Sequence, residues 1–254
     1  MACDAKKTAF LNAFYSDVSE KEFLDEVEKL ISRGRRGAYM VSLNVDQVVK
    51  VDRNPSFANA FNSANYSLMD GVPLIKYARH KGLHVSEKIS GSDLIFSLCE
   101  QAAERGWSCY FLGGREGVPE KAAENLAQRY LGLNIAGAYS PPFGFEKNPV
   151  LLNEVIHRVS EAAPDICFIC LGEPKQTLLA YEHGDEMGYC IGLCLGAAVD
   201  FAAGSVKRAP KWIQNAGLEW FYRFLKEPKR LFKRYFVDSW RLLSVIRRSS
   251  SKCG

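Results

Sequence analysis

The chain has 254 residues, 47 % of them hydrophobic and 24 % charged. That is ordinary soluble composition, too apolar for a largely disordered chain, and the length suits one globular domain with an appendage, or two small domains. The formal net charge of +4 conceals an asymmetry: residues 207–252 hold thirteen Lys/Arg against three Asp/Glu, a net +10, and the rest of the chain stands at −6. A basic tail on an acidic body fits an anionic partner such as a lipid surface, a nucleic acid or a phosphorylated substrate.

No stretch approaches about 18 consecutive apolar residues, so no membrane-crossing helix is expected. The first residues lack the apolar core of a signal peptide. The expectation is a cytosolic chain whose eight cysteines are free thiols. Cys167 and Cys170 form a C-x-x-C pair inside an apolar run, I-C-F-I-C-L. On a strand, positions three apart face opposite sides, which suits core thiols better than a zinc site. Cys190 and Cys194 would share a face, but no histidine lies near either pair in sequence.

In chain order, residues 17–32 read as an amphipathic helix carrying Val18, Phe23, Val27, Leu30 and Ile31 at helical spacing. A buried strand follows at 38–45, then a helix at 55–64 with Pro55 in its first turn. Leu68–Met69 is a short strand ending at Asp70–Gly71. Gly91-Ser92-Asp93 opens a helix to about Arg105, and 107–113 is another strand. Gly114 and Gly117 turn the chain into a helix with Pro119 near its start. Residues 134–139 read as a strand, followed by a helix to about Glu161. Apolar runs at 166–171 and 189–195 flank a helical segment from about Lys175. Strands alternating with helices predict an α/β fold: a mostly parallel, Rossmann-like sheet with helices on both faces. Beyond Gly204 the composition turns basic and aromatic. From Pro228 onward, Leu231, Phe232, Tyr235, Phe236, Leu242, Leu243 and Ile246 fall on one helical face, with Trp240 at its border. Lys229, Arg230, Lys233, Arg234, Arg241, Arg247 and Arg248 fall on the other. An interfacial membrane helix and a helix packed on the domain both produce this pattern.

Open α/β sheets bind ligands at strand ends, and four ends here carry polar residues: Ser42–Leu43–Asn44, Asp70–Gly71, Gly113–Gly114–x–x–Gly117 and L-G-E-P-K-Q (171–176). Two roles fit Asp70, a general base or the N-cap of the helix that follows; for Asp93 the cap is favoured. Asn44 suits either a ligand or a loop backbone, and Gln176 either a ligand or a surface amide. The glycine turn can offer backbone N–H groups and a helix N-terminus to a diphosphate. It lacks the spacing of the dinucleotide fingerprint and the acid about twenty residues later. No D-x-D pattern appears, so charge on a diphosphate would fall to Lys/Arg and helix N-termini. The four histidines show no nucleophile or metal spacing.

Taken together, S-L-N-V-D-Q-V-V (42–49), N-S-A-N-Y-S-L-M-D-G-V-P (62–73), K-I-S-G-S-D-L (88–94), F-L-G-G-R-E-G-V (111–118), L-G-E-P-K-Q (171–176), L-G-A-A-V-D-F-A-A-G (195–204) and K-R-A-P-K-W-I-Q-N-A-G-L-E-W-F-Y-R (207–223) resemble the bacterial WecG/TagA/CpsF glycosyltransferase group. The resemblance runs from about Tyr39 to about Val237. It implies a Rossmann-like core of the GT-E type over 1–204 and a membrane- and acceptor-binding appendage over 205–254. The implied reaction is metal-independent and inverting. It moves N-acetylmannosamine or a related hexose from a UDP-sugar, a substrate rather than a cofactor, to a saccharide on a polyprenyl diphosphate. By the same resemblance Asp70 is the base, and Ser42, Asn44, Lys88, Gly114 and Gln176 bind substrate. Arg208, Arg223, Arg230 and Arg234 meet the acceptor's diphosphate and an anionic membrane at the inner face of the cell membrane. Self-association is expected and nucleic acid is not. Ser42, Lys88 and Thr177 depart from the group's usual threonine, arginine and glutamate, and Lys88 forgoes bidentate phosphate contact. The rival readings are a nucleotide-dependent oxidoreductase on a similar sheet and a non-catalytic module that binds UDP-sugar or anionic membrane.

Overall fold

The computed structural model describes residues 7–206 and 238–250. A two-stranded antiparallel hairpin comes first, β1 (Lys7–Phe10) and β2 (Ala13–Ser16). Then come α1 (Glu20–Ser32), β3 (Ala38–Leu43), α2 (Val45–Arg53), α3 (Pro55–Ser63), β4 (Tyr66–Met69) and α4 (Val72–His80). Next are α5 (Gly91–Arg105), β5 (Ser108–Gly113), α6 (Val118–Arg129), β6 (Asn134–Tyr139) and α7 (Pro149–Ala162). The core closes with β7 (Ile166–Cys170), α8 (Lys175–Met187), β8 (Ile191–Cys194) and α9 (Ala198–Ala202), and α10 (Asp238–Ser250) lies in the tail.

Six strands form one sheet in the order β4-β3-β8-β7-β5-β6. Every pairing in it is parallel. Strand alternation divides the core in two. Tyr39, Val41 and Leu43 of β3, with Cys167 and Ile169 of β7, meet Val48, Phe57, Phe61, Leu74 and Leu179 from α2, α3, α4 and α8. Met40, Phe168 and Cys170 meet Phe23, Val27, Leu98, Leu126 and Val199 from α1, α5, α6 and α9 on the other face. Cys167 and Cys170 thus face opposite sides, as their spacing predicts. Cys190 precedes β8 rather than lying on it, and its Sγ is 3.8 Å from Asp165 Oδ1. Phe111 and Phe168 stack at 5.0 Å between ring centroids on the second face. Each fully buried Phe contributes roughly 1.5–3 kcal/mol of apolar burial.

Local sequence explains several boundaries. Ser19 and Glu22 form a reciprocal capping box, so α1 starts at Glu20 and leaves Val18 outside. β3 stops at Leu43 because Asn44 turns out of the strand and its Oδ1 accepts from Asp46 N–H at 3.0 Å, capping α2. Helix α2, helix α9 and the hairpin are additions to the elements read from sequence. The hairpin packs beside the edge strand β4: Ser67 N–H donates to Ser16 Oγ at 3.2 Å, which occupies a donor that an open edge would leave exposed. No helix among the described residues is long and apolar enough to cross a membrane.

Of the tail, α10 packs on α2. Val245 is buried and Leu242 partly buried against the first core face. Arg248 pairs with Asp52. Leu243, expected on the apolar face with Leu242, turns outward instead, and Trp240 is 74 % exposed. Among the described residues the inward stripe of α10 is narrower than the sequence pattern, and its main packing partner is α2.

Candidate active site at the strand ends

All six parallel strands end on one side of the molecule, and the polar ends picked out from sequence line up there in the order of the sheet. Asp70 follows β4, Asn44 follows β3, Gly196 lies beyond β8, Gly172 beyond β7, Gly114 beyond β5 and Ser140 beyond β6. Neighbouring strands are about 4.8 Å apart, so Asp70 is separated from the Gly114 turn by four spacings, about 19 Å.

On the β3/β4 side, Asp70 N–H donates to Leu43 O at 2.9 Å, which ties the loop after β4 to the end of β3. Asp70 does not cap the next helix. The N-cap of α4 is Gly71, with φ at +128° and no side-chain capping bond. Only a glycine reaches that conformation without strain, and a Cβ there would lie 3.7 Å from Asn44 Cβ. Asp70 is half-buried. Asn44 uses its side-chain oxygen as a cap, the loop-backbone role. Ser42 is half-buried on the strand face opposite Val41 and Leu43. Lys88 is exposed, and Ile89 N–H donates to Met69 O at 3.1 Å, so Lys88 borders the end of β4. Asp93 is not a cap either: Ser90 holds that position and Asp93 falls in the first turn of α5, where a carboxylate suits the helix dipole.

On the β5/β7/β8 side the strand ends open a cavity of about 1020 Å³, lined among others by Gly114, Gly117, Ser140, Gly172, Lys175 and Gly196. Gly113 and Gly114 have φ of +106° and +87°. A Cβ on Gly113 would lie 2.6 Å from the carbonyl carbon and oxygen of Cys170, so the turn needs glycine to cross β7. Gly117, also left-handed, is the N-cap of α6 and makes no side-chain capping bond; at the cavity wall Val118 N–H donates to Arg115 O at 2.9 Å, and Pro119 has no N–H. Ser140 Oγ donates to Gly114 O at 2.9 Å. Phe143, in the Pro141–Pro142–Phe143–Gly144 turn at the cavity, is fully exposed. Lys175 Nζ sits 4.6 Å from its ring centroid and 3.0 Å from Glu146 Oε1. Burial pushes the Glu146 carboxyl up, but backbone hydrogen bonding and Lys175 outweigh it and hold the group below the usual carboxylate range.

Gln176 is buried rather than a surface amide, and it belongs to the frame of this cavity. Its Oε1 accepts from Gly172 N–H and Gly196 N–H, each at 3.1 Å. Its Nε2 donates to Glu173 Oε1 at 2.8 Å. Thr177 Oγ1 donates to the same oxygen at 2.8 Å, so the residue that departs from the group's glutamate bonds a neighbouring one. Burial is the largest influence on Glu173 and raises its carboxyl above the ordinary range, against the hydrogen bonds from Gln176 and Thr177 and the nearby Lys50. Glu173, Lys175 and Phe143 were not singled out from sequence. Glu173 and Lys175 lie inside the quoted L-G-E-P-K-Q run, and Phe143 in a Pro-Pro-x-Gly turn whose lone aromatic was the available signal.

Of the predicted residues, Gly114 lines the cavity and Gln176 braces it. Ser42, Asn44, Asp70 and Lys88 gather around the ends of β3 and β4. Arg208, Arg223, Arg230 and Arg234 lie outside the described residues.

A model of the Glycosyl transferase WecG/TagA/CpsF family matches residues 8–252. An N-acetylglucosaminyldiphosphoundecaprenol N-acetyl-beta-D-mannosaminyltransferase of Bacillus spizizenii is 28 % identical over 216 residues, covering 85 % of this chain and 82 % of that protein. A protein of the same description from Bacillus subtilis is 26 % identical over 241 residues, 95 % of this chain and 91 % of the other. With the parallel sheet and its strand-end cavity, a match over almost the whole length makes this chain a glycosyltransferase of the WecG/TagA/CpsF family.

Proposed function

We propose that this glycosyltransferase draws its sugar from a UDP-sugar and transfers it, with inversion, to a saccharide carried on a polyprenyl diphosphate. The observation that carries this reading is the alignment, along one row of parallel strand ends, of a glycine-walled cavity at a helix N-terminus with a carboxylate at the far end of the row. The relatives' descriptions supply the acceptor class and suggest N-acetylmannosamine or a close relative as the sugar.

In this reading the nucleotide occupies the cavity. Phe143 offers an apolar ring to the base, since aromatic side chains stack on any base. The nucleoside lies beside the Gly114 turn, and the diphosphate runs from there along the strand ends toward β3 and β4, so that the anomeric carbon, one oxygen away from it, lies beside Ser42, Asn44 and Asp70. Asp70 takes the proton from the acceptor hydroxyl as its oxygen attacks the anomeric carbon. The bond from that carbon to the diphosphate oxygen breaks on the opposite side, UDP leaves with the electron pair, and the configuration inverts. The developing charge is met by helix N-termini and cations, with Lys88 beside β4 and Arg208, Arg223, Arg230 and Arg234 as the tail's contribution. Residues 205–254 form the appendage that brings the acceptor's diphosphate and an anionic membrane surface to the site.

The test is incubation of the purified protein with a panel of UDP-sugars and a short-chain lipid-diphosphate N-acetylglucosamine acceptor, with UDP release and lipid product followed by mass spectrometry. One donor yielding a mass-shifted lipid is the expected result and names the sugar. UDP binding without product from any donor would overturn the acceptor; no UDP binding would overturn the donor.

A further inference from the structure

The β7 and β8 loops that wall the cavity are joined by one side chain. Gln176, 3 % exposed, accepts two backbone N–H groups through one oxygen, from Gly172 after β7 and from Gly196 after β8. An amide oxygen has two acceptor sites, so both are filled, and Gln176 Oε1 has no capacity left for substrate. The bridge depends on which way the amide points. If the NH₂ group faced the two backbone donors, both hydrogen bonds would become donor–donor contacts.

The group that decides the orientation is Glu173. Its Oε1 accepts from Gln176 Nε2 and from Thr177 Oγ1, each at 2.8 Å, and Thr177 is fully buried. Its other oxygen, Oε2, is buried and has no hydrogen-bond partner among the described residues. A buried carboxyl with an unsatisfied oxygen costs stability, while the satisfied oxygen holds the Gln176 amide and the Thr177 hydroxyl. The charged groups facing it are Lys50 and Asp46 of α2, themselves an ion pair. Glu173 thus stands between the cavity loops and the helix capped by Asn44.

We infer that Glu173 is a positioning residue. Through Oε1 it locks the Gln176 amide so that Gln176 clamps Gly172 to Gly196, and the clamp sets the width of the donor cavity. Gln176 then acts as a brace through Oε1, and its second Nε2–H is the one donor of the amide that the clamp does not use. The inference rests on the proposed donor reading for its effect on substrate, and on geometry alone for the clamp.

The experiment compares the full-length protein with Glu173→Ala and Glu173→Gln. A glutamine at 173 keeps an oxygen able to accept from both Gln176 and Thr177, whereas alanine removes it. Two readouts are taken: hydrogen exchange of the segments holding Gly172 and Gly196, and calorimetric titration with UDP. In Glu173→Ala, exchange at both segments should accelerate at least tenfold, and UDP should bind about tenfold more weakly. In Glu173→Gln, both should stay within about twofold of the unchanged protein. Unchanged exchange in Glu173→Ala, or equal acceleration in both variants, overturns the clamp. Faster exchange with unaltered UDP affinity overturns its role in the site. If the unchanged protein does not bind UDP, the donor reading fails, and the exchange data alone decide the clamp. Acceleration spread over every segment of Glu173→Ala marks general destabilisation and overturns a local brace.

Discussion

Asp70 illustrates how much one residue can owe to its two neighbours in space. Gly71 takes the left-handed conformation and the cap of α4, while the Asp70 backbone bonds to Leu43. The N-cap of α4 is Gly71, and the role proposed for Asp70 is that of general base. A positioned general base is worth about 10²–10⁴-fold in rate, so Asp70→Asn should lower turnover on that scale with the fold retained. Near-normal turnover would remove Asp70 from the role. Glu173 makes a prediction in pH. Its carboxyl ionises above the ordinary value of 4.5 in the folded chain, so over the interval between the two values the folded state holds more protons than the unfolded one. Stability contributed by neutral Glu173 is therefore complete below about 4.5 and falls as pH rises through the folded value. Urea midpoints for Glu173→Gln should gain on the unchanged protein between about pH 4 and the pH at which the folded carboxyl has ionised; a difference flat with pH would contradict burial as the cause.

Elements carry the next level of constraint. The β5–α6 turn approaches β7 so closely that a side chain at Gly113 meets the Cys170 carbonyl at 2.6 Å, with φ at +106°. Gly113→Ala should cost about 1–3 kcal/mol from strain alone, and more if β5 and β7 separate; denaturant unfolding would measure it, and a loss below about 0.5 kcal/mol would show that the turn relaxes. Sequence reading recovered this turn, its glycines and its strand. It missed α2, because V-D-Q-V-V-K-V-D (45–52) continues the apolar strand before it. The side chain of Asn44, accepting from Asp46 N–H, caps the helix there, and Val48 and Val51 seat it on the core. The hairpin at 7–16 was missed for a related reason. Its turn, Leu11–Asn12, places Leu11 at φ +57°, with none of the glycine that marks such turns in sequence.

At the scale of the molecule, acidic body and basic tail remain the leading feature. The described end of the tail, α10, is seated on α2 through Val245 and Leu242 and leaves Trp240 and Leu243 outward. Lys229, Arg230, Lys233 and Arg234 precede it, outside the described residues. Each cation near an anionic leaflet contributes about 1 kcal/mol. Replacing these four by glutamate in the full chain should abolish sedimentation with anionic vesicles at moderate salt. Undiminished sedimentation would refute the membrane role of the tail.

What the residues determine by themselves here is local and periodic. Ser19 and Glu22 start a helix, alternating apolar runs make buried strands, Cys167 and Cys170 part to opposite faces, and glycines mark the strand-to-helix turns. These depend on neighbours a few positions away, and the ordered motifs were enough to identify the family. The strand order β4-β3-β8-β7-β5-β6 was decided by which helices cover which face, a balance of contacts between segments far apart in the chain that no local pattern encodes. That order brings Gly172 and Gly196 to either side of Gln176, twenty residues apart in sequence at Gly196 yet 3.1 Å away in space. It thereby lets one side chain join the loops after β7 and β8.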